Sequence, residues 1–155
     1  MIAAVALFLA TAFPSSDKTA WMRPESFHLI IGMPRAEAMK VLESDGWKPR
    51  KAGVPNQVTV DYADDKTVTL AFEKDRLKSV RFELFVILHD AKSVFADEAA
   101  YLRARYGEPK KLTSRSILLY DNALPNIMAV LSNDPKSEQG QQGVGMVVVR
   151  YYDPR

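Results

Sequence analysis

The chain has 155 residues, no cysteine, and a net charge of +2 from 21 Lys and Arg against 19 Asp and Glu. That length fits one ordinary domain, able to bury most of its apolar surface without a metal or a disulfide. The missing cysteines exclude disulfides, thiolate metal sites, a cysteine nucleophile and lipid attachment at a cysteine, and the interspersed charges form no basic stripe of the kind nucleic-acid binding needs.

Residues 1–12 (MIAAVALFLATA) are apolar apart from Thr11. Such a run is too short to cross a bilayer, which takes about 20 residues. It suits the apolar core of a signal peptide, and Ala10-Thr11-Ala12 is an A-x-A-like cleavage site. A periplasmic or secreted protein is therefore expected, with no integral membrane segment in the mature chain. Residues 13–26 carry Ser15, Ser16, Asp17, Lys18 and Pro24 and read as a linker. Residues 27–155 read as a single domain.

Within it, residues 27–31 (FHLII) form a short apolar run. Pro34 is placed to open a first helix, because its fixed φ suits the first turn and the N–H it lacks would be unpaired there anyway. Ala38, Met39, Val41 and Leu42 give that helix an apolar side. Gly46 fits the left-handed position just past its end, which would fold Trp47 back onto Leu42. Two alternating runs follow, 58–62 and 67–72, around the turn Ala63-Asp64-Asp65-Lys66, a hairpin pattern. After a second turn at residues 73–76, Val80, Phe82, Leu84, Val86 and Leu88 point one way and Arg81 and Glu83 the other. The end of this strand, residues 85–88, is apolar on both faces, which predicts a central position covered twice.

Asp90 can cap a second helix whose stripe is Phe95, Ala99, Leu102 and Tyr106. Gly107 stops it and Pro109 prevents its resumption. Strands are expected over 116–120, 127–131 and 144–152, with a turn at residues 124–126 and a polar loop at 132–143. The two halves, 27–88 and 89–155, thus read as pseudo-repeats. Gly46 and Gly107 lie 61 apart, as do His28 and His89, and at that offset Ala38 meets Ala99 and Val41 meets Leu102. The fold class expected is α+β: tandem helix-plus-antiparallel-meander units, with two helices packed on one side of a curved antiparallel sheet.

The stretch Ile31-Gly32-Met33-Pro34-Arg35-Ala36-Glu37-Ala38, the helix ending at Gly46 and the meander after it resemble the SmpA/OmlA-like and β-lactamase-inhibitor-protein-like folds over roughly residues 27–153. The first resemblance implies a role in outer-membrane assembly, although its members are typically lipoproteins and this chain has no cysteine to lipidate. The second implies protein binding through a concave sheet and an exposed hairpin carrying Asp beside Tyr, matched here by Tyr62-Ala63-Asp64-Asp65. Those inhibitors carry disulfides, which this chain lacks.

Residues that could carry chemistry are few. His28 and His89 lie in no ligand-spaced motif, and their matching offsets suggest a structural role. Asp61, Asp64, Asp65 and Asp75 could hold a cation or meet a basic partner, but Asp is also a turn residue that bonds its own backbone. The calcium-loop pattern is not met. Trp47, Tyr101, Tyr120, Tyr151 and Tyr152 could form an aromatic surface, and the adjacent Tyr151 and Tyr152 must face opposite ways on a strand. The glycines at 140, 143 and 145 precede a strand, whereas a phosphate cradle precedes a helix. The expectation is no catalytic residue, no metal and no cofactor. Another protein is the expected partner, bound through Tyr62, Asp64, Asp65, Tyr151 and Tyr152. A cell-envelope structural or assembly factor is the alternative, and a small hydrolase the third reading.

Overall fold

The computed structural model describes residues 18–134 and 143–155. The expected signal peptide at 1–12, and residues 135–142 of the expected polar loop, lie outside them. Helix α1 (Arg35–Ser44) is followed by strands β1 (Arg50–Lys51), β2 (Gln57–Ala63), β3 (Lys66–Glu73) and β4 (Arg76–Ile87). Helix α2 (Leu88–Tyr106) then leads to β5 (Ile117–Tyr120), β6 (Asn126–Asp134) and β7 (Val144–Tyr152). The strands form one open, curved antiparallel sheet in the order β1-β2-β3-β4-β7-β6-β5. Each helix therefore precedes its own meander, and the two meanders join where β4 pairs with β7, from Ser79 opposite Tyr152 to Ile87 opposite Val144.

The local signals explain these elements. The Pro34 carbonyl accepts the first helical bond, from Ala38 N–H at 3.0 Å, so Pro34 precedes α1 instead of opening it. At the other end Gly46 has φ +83°, its N–H donates to Glu43 O at 3.0 Å, and Trp47 N–H donates to Leu42 O at 2.9 Å. These two bonds are the Schellman arrangement, which satisfies carbonyls the helix end would otherwise leave bare. Gly107 ends α2 with φ +81°. The turn between β3 and β4 places Lys74 and Asp75 at positive φ, the backbone of a two-residue hairpin turn.

Residues opposite one another on antiparallel strands share a face, so the registers assign each side chain. One face carries Val60, Val68, Phe82, Val149, Ala129 and Leu118 in a continuous row, all buried, with Val58, Leu70, Val80, Tyr151, Ile127 and Tyr120 in the next. The helices cover this face: Ala38 and Leu42 of α1, and Ala91, Phe95, Ala99 and Leu102 of α2, are buried in the same core.

Four further expectations need correction. The expected linker is structured over its described part. Residues 20–22 and 24–27 form two 3-10 turns that bury Trp21, Met22 and Phe27, so the folded unit begins before residue 27. Short turns let these scattered apolar side chains point inward without helical periodicity. Asp90 does not cap α2, which runs directly out of β4 and starts at Leu88, whose N–H is bound by Gly143 O at 2.7 Å; Asp90 lies in the first turn. The end of β4 is central but covered once only, leaving Phe85 48% and Ile87 43% exposed. The histidines are not equivalent either. His28 sits in a left-handed conformation seven residues before α1 and bonds Asp45 at 2.7 Å, whereas His89 is the second residue of α2.

Candidate functional site

The sheet face away from the helices is the candidate. Alternation along the strands places on it Asp61, Thr67, Glu83, Val148, Val130 and Ile117 in one row and Thr59, Thr69, Arg81, Arg150, Met128 and Leu119 in the next. The face is divided. Toward β1 it is polar, and toward β5 it is apolar. At the end of β4 the apolar part is most exposed, where Phe85 pairs with Met146, and Ile87 with Val144, itself 45% exposed.

The polar half has its own construction. Arg50 donates to Asp61 through Nε at 2.9 Å and Nη2 at 3.0 Å, a two-pronged pair that lowers the Asp61 carboxyl below its ordinary range and raises the Arg50 guanidinium. Arg81 lies 3.3 Å from Glu83. Arg150 donates to the Ser79 hydroxyl at 3.4 Å and stacks its guanidinium 5.2 Å from the Tyr152 ring centre. Between these side chains Thr69 and Ser79 are buried although they face away from the core. They floor a recess of about 110 Å³ walled by Gln57, Arg81 and Arg150.

The five residues chosen from the sequence are not brought together. Tyr62 lies between Trp21 and Trp47, with ring centres 5.4 and 5.2 Å away, and remains 39% exposed. Asp64 and Asp65 form the turn beyond it, Asp65 bonding Lys66 at 2.9 Å and accepting Phe85 N–H at 3.0 Å through its carbonyl. Tyr151 and Tyr152 sit toward the other end of β4, opposite Val80 and Ser79. Tyr151 points into the core, where burial raises its phenol well above the usual value, and its hydroxyl has no hydrogen-bond partner among the described residues. Tyr152 faces the open side beside Arg150. Sequence reasoning passed over Phe85, Ile87, Val144, Arg81 and Arg150. The signal for them was present: the expected register of β4 already put Arg81 and Glu83 opposite the core face.

Other features offer less. A recess of about 500 Å³ lies between the end of α2 and β5 and is bridged by Lys110 and Asp121 at 2.9 Å. This contact lowers the Asp121 carboxyl and raises the Lys110 ammonium. Glu98 is wholly buried on α2, 3.8 Å from Arg23, whose guanidinium stacks 3.4 Å from the Tyr101 ring centre. This group ties the first turns of the chain to α2. Among the described residues there is no group of three or more His, Asp or Glu that could hold a metal, and no helix long and apolar enough to cross a membrane. No family model, no curated protein and no solved structure matches the chain.

Proposed function

We propose that the chain is an exported, non-enzymatic binding domain that engages another protein through the open face of its sheet. The observation that carries this reading is the uncovered apolar surface at the β4–β7 end of that face, built on Phe85, Ile87 and Val144. Neighbouring exposed apolar side chains mark interaction sites more often than isolated ones do. Burying a Phe outright contributes about 1.5–3 kcal/mol, so a half-exposed Phe85 holds roughly half of that in reserve for a partner. The polar half beside it supplies hydrogen-bonding groups of the kind found at interface rims. Export is supported by the apolar run at residues 1–12 with its A-x-A-like site. The resemblance to β-lactamase-inhibitor-protein-like folds, with their binding sheet, supports the same assignment.

The test is affinity capture from envelope extract with the wild-type chain and with the Phe85→Ser/Ile87→Ser double variant in parallel. A protein retained by the wild type and lost by an equally stable variant is the expected outcome. Equal retention by both chains, or a reproducible hydrolytic activity with no retained protein, would overturn the proposal.

A further inference from the structure

The pair Arg81 and Arg150 leaves one guanidinium without a carboxylate among the described residues. The two residues are direct cross-strand partners on the same face, and like charges placed opposite each other destabilise a sheet. Glu83 lies 3.3 Å from Arg81. Arg150 has no carboxylate within ion-pair distance among the described residues; its contacts are the Ser79 hydroxyl and the Tyr152 ring. Beneath the pair, Ser79 and Thr69 are only 3% and 7% exposed, so the recess has two hydroxyls in its floor and two guanidinium groups in its walls.

We infer that this recess recognises one carboxylate, presented by an Asp or Glu side chain of the protein that docks on the open face. This inference rests on the proposed function and names the chemistry of its partner. Three points favour a carboxylate. Guanidinium groups present N–H pairs in a fork that matches two carboxylate oxygens. The local charge is also suited to a monoanion: Arg50 is cancelled by Asp61 and Arg81 by Glu83, leaving the single positive charge of Arg150. A phosphate dianion would exceed that charge. Finally, the recess runs across β2, β3, β4 and β7, with β1 on one side and β6 and β5 on the other, so a partner reaching it rests on the surrounding sheet. A protruding side chain fits that approach better than a chain terminus at a sheet edge. The apolar half of the face then packs against the partner while the arginines set its register, the usual division between apolar contact and charged specificity.

The experiment is a titration of the full chain with sodium acetate at constant ionic strength, following the arginine Nε–H and backbone amide signals by NMR. The expected result is a saturable shift confined to Arg81, Arg150 and the Ser79 amide, weakened at least tenfold in the Arg150→Gln variant. Inorganic phosphate, run in parallel, should bind no more tightly than acetate. Equal, non-saturating shifts at arginines across the surface would overturn the proposal, as would acetate binding that survives Arg150→Gln. Tighter binding of phosphate would overturn the assignment to a carboxylate. Should Arg150→Gln fail to fold, the wild-type shifts alone still decide whether Arg81 and Arg150 respond together, and Arg150→Lys, which keeps the charge without the fork, replaces it. The titration involves no partner, so its failure is separate from failure of the protein-binding reading, which the Phe85 and Ile87 variants test.

Discussion

The two faces of the sheet are built from the same strands and differ only in which alternate residue they receive. On β4 the contrast is three residues wide: Phe82 is fully buried, whereas Phe85 is 48% exposed. Phe82 contacts the rings of Trp21, Phe27 and Tyr151 at centre distances of about 6 Å. Phe85 has Met146 opposite it and, among the described residues, no helix above it. The covered face holds the fold together, because its apolar residues are removed from water by α1, α2 and the first turns of the chain. The open face contributes less to folding and so retains side chains whose burial is still available to a partner.

The comparison can be broken most severely at the phenylalanines. Phe82→Ala should destabilise the fold by about 3–5 kcal/mol, since the cavity adds to the lost transfer energy. Phe85→Ala should cost only about 0.8–1.5 kcal/mol, half of a full burial, in line with its exposure. Urea denaturation of the two variants measures both, and equal losses would remove the distinction between the faces. Gly145 tests how closely α2 sits on the covered face. A Cβ there would run into the Ala91 Cβ and approach Leu88 Cα at 3.1 Å. Gly145→Ala should therefore cost about 1–3 kcal/mol by overpacking, and a melting midpoint equal to wild type would show that α2 is not seated there. Gly46→Ala lies on neither face and serves as a reference. At φ +83° it should cost about 1 kcal/mol through backbone strain alone.

The smallest effect is expected at Tyr151, and it has an unusual sign. Its buried hydroxyl lacks a hydrogen-bond partner among the described residues, so Tyr151→Phe removes an unsatisfied group and should leave stability at neutral pH unchanged or raised slightly. Burial raises the folded-state phenol above the ordinary value of 10.0. The folded form then holds its proton where the unfolded form releases it, so the contribution is intact below about pH 10 and is lost as pH rises further. Alkaline denaturation should begin at higher pH in Tyr151→Phe than in wild type. A variant clearly less stable at neutral pH would instead reveal a bond made by that hydroxyl.

The glycine stops and strand alternation carried most of the architecture. Gly46 and Gly107 end their helices because only a positive φ turns the chain there without strain, and that requirement is written in the residue type itself. The hairpin around Asp64 and Asp65 was legible for a similar reason. Glu98 was not. A charged residue is ordinarily placed on the wet side of a helix, yet Ala91, Phe95, Glu98 and Leu102 recur at i, i+4, i+7 and i+11, and all four are buried. Its position depends on Arg23, 75 residues away, which no local pattern encodes. The expected linker failed similarly: Trp21, Met22 and Phe27 have no periodicity, and Trp21 and Phe27 find their place against the distant rings of Trp47, Tyr62 and Phe82. The open face was half legible. Alternation identifies its residues, but the double apolar character of residues 85–88 reads equally as burial on both sides or as an unfilled surface, and only the positions of the helices distinguish the two.

The central claim is that binding uses the open face and not the hairpin tip. Footprinting of the captured complex with a side-chain-modifying carbene tests it most directly. The account predicts that labelling falls at Phe85, Val144, Met146 and Arg150 when the partner is bound and stays unchanged at Asp64 and Asp65. Protection of Asp64 and Asp65, with Phe85 and Val144 labelled as in the free chain, would contradict it.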